Sequence, residues 1–199
     1  MTPAAPELGK GELPIIRFDD QVEFSAWLAR QAPRSKGLWV RLAKAGAPRS
    51  SLTKQQAIDA ALCDGRINGQ LDKYDAHYWL IRFTPRKPSS KWSQVNRHRA
   101  EQLIAEQQMQ PTGLAEVASA KADGRWDAAY ALASSATVPP DLQAALDDNP
   151  AAAKFFATLT GANRYAVLYR ITTVKRADTR ARKIAEYVAM LARGETLHG

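Results

Sequence analysis

Two strand-like runs, Ile67 to Tyr74 and His77 to Phe83, stand on either side of a short turn near Asp75-Ala76. That spacing commits the middle of the chain to paired antiparallel strands, because a turn this short brings consecutive strands side by side. Gly37 to Leu42 alternates, with Leu38, Val40 and Leu42 on one face, and Ile15-Ile16-Arg17-Phe18 reads as a further short strand. Between the strands lie two helix signatures. Asp20 with Glu23 opens one, whose apolar stripe is Val22, Phe24, Trp27 and Leu28, ending before Pro33. Thr53 with Gln56 opens the other, which buries Ala57, Ile58, Ala61 and Leu62 until Gly65 stops it.

After Ser93 the period changes and the chain reads as helical. Val95 to Gln108 and Leu114 to Ala122 are the first two helices, with Gly124 as terminator. Residues 133–140, ASSATVPP, read as a linker. Beyond it, Asp141 to Leu146 is a short helix, and Asn149 caps another that starts at Pro150 and anchors Phe155, Phe156 and Leu159. Gly161 is expected to end that helix and Asn163 to cap the next, with Arg164 to Arg193 largely helical. The expected class is α+β: a small, mostly antiparallel β layer with helices, followed by a helical C-terminal part. The expected division is a flexible tail at 1–14, an α+β domain at 15–132, the linker at 133–140 and a helical domain at 141–199.

A chain of 199 residues with 45% hydrophobic side chains can bury a real core. Its longest apolar runs fall far short of a membrane span, and its start lacks the basic and apolar stretches of a signal peptide. A cytoplasmic protein without membrane insertion is therefore expected. Cys63 is the single cysteine, which excludes an intramolecular disulfide and a cysteine zinc site. His77, His98 and His198 are scattered, and no Walker or G-x-G-x-x-G motif occurs, so neither a metal nor a cofactor is expected.

Four places carry candidate chemistry. From Arg82 to Arg99 there are six Lys/Arg and no Asp or Glu. Within this stretch Arg86, Lys87, Ser90, Lys91, Ser93 and Asn96 gather at a helix start, where free N–H groups and hydroxyls suit an anion; the bland reading is a Pro-shaped connection with a capped helix. The Cys63–Gly69 loop offers Cys63, Asp64 and Asn68 as ligand contacts beside Gly65 and Gly69, or else a helix C-cap and a turn. Because strands 67–83 connect these two motifs, they are expected to meet in space. A Cys63–His77 nucleophile pair is available, against the commoner buried free thiol. Finally, Arg176, Arg180 and Lys183 form a stripe in a region, 164–183, whose only acidic residue is Asp178; it suits a phosphate backbone or simply a solvated face.

Several strings resemble one bacterial family in order. They are Trp27-Leu28, Gly37 to Val40, Ala61 to Gly65 with Ile67 to Gly69, the Thr84-Pro85-Arg86 run through Ser90 to Ser93 and Asn96, and Gly124 to Trp126 with Tyr130. Val138-Pro139, Asp141-Leu142 and the Lys175-Arg176, Thr179-Arg180, Arg182 to Ile184 run complete the pattern. Together they resemble the YdeI/OmpD-associated, bacteriocin-protection family over roughly residues 15–195. That resemblance implies a role in tolerance to cationic antimicrobial peptides and similar envelope stress, without an established catalytic mechanism or cofactor. Family members carry an aromatic after the Cys, a Trp before the Ile and an Asp before the second Gly; here those places hold Asp64, Arg66 and Asn68.

The charge bears on mechanism. A net charge of +8 repels cationic peptides at long range. Protection is therefore expected to act through a small anionic ligand, a protein partner or a regulatory step. A small-anion binder or enzyme using the 82–96 and 63–69 loops is one alternative, and nucleic-acid binding through the 164–183 helices is another.

Overall fold

A computed structural model describes residues 7–31, 35–131, 136–174 and 176–198 of the chain. They divide into two compact units, Met1–Lys91 with Asn96–Asp127, and Trp92–Val95 with Ala128–Gly199. The architecture is mixed α and β, with the sheet in the N-terminal half.

In the first unit the strands are β1 (Leu8–Gly9), β2 (Leu13–Ile16), β3 (Leu38–Ala43), β4 (Arg66–Lys73) and β5 (Tyr78–Pro85), arranged β1-β2-β3-β5-β4. The hairpin of β4 and β5 forms as expected. Its turn is fixed by Asp75, whose Oδ1 accepts from the N–H groups of His77 and Tyr78, both at 2.7 Å. Antiparallel pairing of β3 with β5 matches Val40 to Ile81 and Leu38 to Phe83, and places these apolar side chains on one face. β2 pairs in parallel with β3, and the crossover between them contains helix α1 (Gln21–Gln31).

That crossover and helix α2 (Lys54–Cys63) cover the apolar face. Phe24 and Leu28 from α1 and Ala57, Ala60 and Ala61 from α2 join Leu38, Val40, Leu42, Ile81 and Phe83 in one core. Thr53 and Gln56 form the expected capping box at the start of α2. Gly65, with φ +76°, takes the left-handed position that ends it. Val22 departs from the expected stripe and is 77% exposed. At 100° per residue it lies about 200° from Phe24, so the two cannot share a face.

Residues 8–14, expected in the tail, instead build β1 and the start of β2: Leu8 pairs with Pro14 and Gly9 with Leu13. Phe18 leaves β2 after Ile16 and turns into the core, 4.8 Å from the ring of Phe24. Helix α3 (Gln94–Ala105) stops short of Gln108 because Gln107 has φ +57°, and helix α4 begins at Pro111 rather than Leu114 (Pro111–Ala122). Pro33, residues 1–6 of the expected tail and residues 133–135 of the expected linker lie outside the described residues.

The second unit is built from α5 (Pro140–Asp147), α6 (Pro150–Thr158), α7 (Gly161–Thr172) and α8 (Ala177–Ala192) around a separate core. Leu142, Leu146, Ala152, Phe156, Leu159, Val167, Leu168, Ile171, Ile184, Tyr187, Val188 and Leu191 are its buried members. Asn149 caps α6 as expected, its Oδ1 accepting from the Ala152 N–H at 3.1 Å. Gly161 and Asn163 behave differently from expectation. α6 has already ended, Gly161 opens α7 with Thr160 before it, and Asn163 bonds both N–H and C=O of His198.

Candidate functional site

The 86–93 segment follows directly from β5. Arg86 is buried, and its backbone N–H donates to the Gly65 carbonyl at 3.3 Å. Arg66 also pairs with Pro85, so the two expected loops do meet. Several of their side chains, however, are committed to the fold. The Arg86 guanidinium donates from Nη1 to the Lys91 carbonyl at 3.3 Å. The Lys87 N–H donates to Ser90 Oγ at 2.9 Å and the Ser90 N–H to the Lys87 carbonyl at 2.8 Å, closing a turn. Arg125 Nη1 clamps that turn through the Ser90 carbonyl at 3.0 Å. Lys87 and Lys91 are exposed. Ser93 directly precedes α3 but is buried, belongs to the second unit and bridges to Tyr130, whereas Asn96 is half-buried in the first unit. The six candidates thus do not form a single open anion cradle within either unit.

In the 63–69 loop, Asp64 and Arg66 pair, Nε to Oδ2, at 3.0 Å, with the Arg66 side chain only 2% exposed. Burial raises the Asp64 pKa, and hydrogen bonds from Arg66 and Thr112 work against that rise. The departures at Asp64 and Arg66 are therefore one coupled change, an ion pair where the family resemblance implies two aromatics. Asn68 is half-buried just before the β4 bulge.

A groove of about 610 Å³ opens beside this loop, lined by Gln21, Ser25, Cys63, Asp64, Gln110 and Thr112 among others. Among the described residues none of its lining is Lys, Arg or His. It has the size for a small ligand, and its described lining carries the acidic Asp64 and no basic side chain. Its wall is a close approach of α4 to the end of α2, fixed by the Gln110 N–H donating to the Cys63 carbonyl at 3.0 Å. The sequence reading missed Gln110 and Thr112. The visible signal was the Met109-Gln110-Pro111 break between helices, which forces a change of direction there.

Cys63 and His77 are not brought together. Cys63 lies at the end of α2 before β4, while His77 is exposed in the turn after β4. An eight-residue strand separates them, roughly 25 Å at the usual rise. Burial, the first cause, pushes the Cys63 thiol up to about 11, with the Asp59 carboxylate adding to the rise. Such a thiol is not poised as a nucleophile.

The stripe on α8 is also largely engaged. Arg180 holds Asp141 through both carboxylate oxygens, Arg176 holds Asp178 likewise, and Lys183 lies 5.6 Å from the Tyr187 ring centre. Lys175, next to the stripe, lies outside the described residues. Among the described residues there is no group of three His, Cys, Asp or Glu suited to a metal ion. No helix among them is long and apolar enough to cross a membrane.

Residues 16–116, half of the chain, match a family described as a domain of unknown function (DUF8412). The chain belongs to this family. Residues 135–194 match a second family, described as bacteriocin-protection, YdeI or OmpD-associated. The resemblance read from the motifs is thus shown for the C-terminal part alone, not over residues 15–195, and β3, β4 and β5 of the sheet lie in the domain of unknown function. No curated protein and no solved structure matches the chain.

Proposed function

We propose that this is a cytoplasmic bacteriocin-protection-type stress protein that acts by binding, through a protein partner or an anionic ligand, with the C-terminal helices as its working part. One observation carries the reading: the bacteriocin-protection match, 135–194, falls on α5 to α8, a unit with its own core. Two physical points support binding over catalysis and over direct capture of the toxin. The thiol at Cys63 is held protonated, far from His77. The net charge of +8 opposes encounter with a cationic peptide.

The test is survival of bacteria with and without the full chain under a cationic bacteriocin, alongside direct titration of the purified protein with that peptide. Protection without measurable direct binding is the expected result. Equal killing in both strains would end the reading, and tight direct binding would replace the partner route with sequestration.

A small-anion site on the 86–93 loop has the exposed Lys87 and Lys91 in its favour, but Arg86 and Ser90 are bonded within the loop. A thermal-shift screen against phosphates, nucleotides and carboxylates tests it. A shift of several degrees that disappears in Arg86→Ala would promote it. Nucleic-acid binding along the α8 stripe has weaker support, since Arg176 and Arg180 are each tied to a carboxylate.

A further inference from the structure

The sheet has a second face, opposite the core, that none of these readings uses. The residues alternating with the core side chains are Trp39 and Arg41 on β3, and their cross-strand partners Arg82 and Leu80 on β5. Tyr78, opposite Ala43, shares this face. The Arg41 guanidinium lies 5.0 Å from the Tyr74 ring centre and 5.3 Å from that of Tyr78. Arg82 lies 5.9 Å from the Trp39 ring. The Nε atoms of Arg41 and Arg82 are both buried with no hydrogen-bond partner among the described residues. Buried guanidinium N–H groups without an acceptor are uncommon, because each forfeits its hydration. Gly69, at the β4 bulge, puts no side chain over Arg82.

The N-terminal hairpin reaches across this face. Trp39 Nε1–H donates to the Lys10 carbonyl at 3.0 Å, and Lys10 Nζ stands 2.6 Å from Asp72 on β4. Gly9 approaches Trp39 so closely that a Cβ there would stand 2.7 Å from Cδ1. Arg41 Nη1 donates to the Tyr74 hydroxyl at 2.9 Å, which in turn donates to Glu7 Oε2 at 2.7 Å. The chain thus supplies its own anion at the end of the arginine–tyrosine stack. Besides these contacts, the hairpin is tied to β2 by the Ile15 N–H donating to the Glu7 carbonyl at 2.8 Å, while its ion pair is weak because the Lys10 side chain is 73% exposed.

We propose that this face binds a nucleotide unit, base stacked on Trp39 and phosphate on Arg41 and Arg82, and that the Glu7–Glu12 segment is a displaceable strap that covers Trp39 and sets the Glu7 carboxylate on the Tyr74 hydroxyl beside Arg41. The chemistry is general. Aromatic rings on a sheet face stack bases without sequence preference, and arginine forks match phosphate oxygens. Trp39 is 1% exposed, so the strap must lift before a base can reach it. The surface is distinct from the α8 stripe, and the inference stands whether or not the protective role does. The nucleotide unit has two sources, a free mononucleotide or a single strand of nucleic acid.

The experiment is fluorescence anisotropy of a labelled oligothymidylate dodecamer against the full chain, with AMP as competitor. Tyr74→Phe keeps the ring but removes the hydroxyl that holds Glu7, and Glu7→Gln with Lys10→Ala loosens the strap directly. Both are expected to tighten binding about fivefold, the scale of losing one such restraint. Arg41→Gln is expected to weaken binding at least tenfold at an unchanged melting temperature; Arg82→Gln serves if Arg41→Gln does not fold. Displacement by AMP identifies a free nucleotide as the source, and its failure with a steep salt dependence identifies a strand. Strap variants that bind no tighter than the parent, or arginine variants that bind equally well, would overturn the proposal.

Discussion

Arg180 grips Asp141 with two nitrogens, Nε at 2.5 Å and Nη2 at 2.9 Å, while its third donates to the Ile171 carbonyl at 2.7 Å. One side chain therefore ties α8 to α5 and to the last turn of α7. Arg180→Lys keeps the charge but loses the planar fork. Because the Asp141 side chain is 43% exposed, solvent screening keeps the expected loss to roughly 1 kcal/mol. The pH dependence has a definite sign. Hydrogen bonding to Arg180, then its charge, holds the Asp141 carboxyl below 3.8. A depressed carboxyl pKa adds stability that is present above the ordinary value and is lost as pH falls through the folded one. The difference between parent and Arg180→Lys in urea melts should accordingly shrink below about pH 4. A gap that stays constant down to pH 2 would show that packing, not the ion pair, is what Arg180 contributes.

In the first unit the corresponding tie is Asp59 with Arg99. Arg99 Nε and Nη2 reach the two Asp59 oxygens at 3.0 and 2.9 Å, and Gln55 donates to Oδ1 at 2.8 Å. The Asp59 hydrogen bond is the first cause of a raised Arg99 pKa. Asp59 is 7% exposed, so Arg99→Met leaves a buried carboxylate without its cation and should cost about 3 kcal/mol. The double variant Asp59→Leu with Arg99→Met removes both charges and should recover most of that loss. A chemical-denaturation cycle measures the coupling. If the double variant is no more stable than Arg99→Met, the pair is not the source of the cost.

What the sequence made legible was local. The β4–β5 hairpin, the Thr53–Gln56 box and the Asn149 cap depend on residues a few positions apart, and all three stand where the pattern puts them. Element ends moved where backbone geometry intervened, as at Gln107, whose positive φ ends the run toward α4. The candidate sites were less legible because their residues are recruited by distant partners. Arg180 looks like a free cation in a basic run until Asp141, 39 positions away, is seen beside it. Trp39 and Arg41 read as one more alternating strand, and nothing local shows that Glu7 and Lys10 return across them.

Gly113 offers a case in which two opposing effects differ clearly in size. Even in a helix interior Gly→Ala stabilises by only about 1 kcal/mol, and Gly113 stands in the first turn of α4. Here a Cβ would stand 2.3 Å from the Cys63 carbonyl oxygen and 2.8 Å from Met109 Cε. The oxygen is backbone, already accepting from the Gln110 N–H, and cannot swing aside as a side chain would. Gly113→Ala should therefore destabilise by roughly 1–3 kcal/mol, because α4 must back away from α2. A variant as stable as the parent in thermal melts would show that the two helices separate at no cost, and that the groove wall is soft.

The state of the Cys63 thiol decides how much chemistry the groove can host. Its pKa is pushed from the usual 9.0 up to about 11, so at pH 8 the reactive thiolate is about one part in a thousand. Alkylation by iodoacetamide in the folded protein should rise about tenfold per pH unit until above pH 10, whereas in denaturant the rate should level off near 9. Stability follows the same groups. A raised thiol pKa contributes stability fully present below 9.0 and lost as pH rises through about 11. Both curves come from one sample and must agree on the pH window. A folded-state rate that levels off near pH 7 would mean an activated thiol facing Asp64 and Thr112. That result would overturn the case for binding rather than catalysis at the step it rests on most.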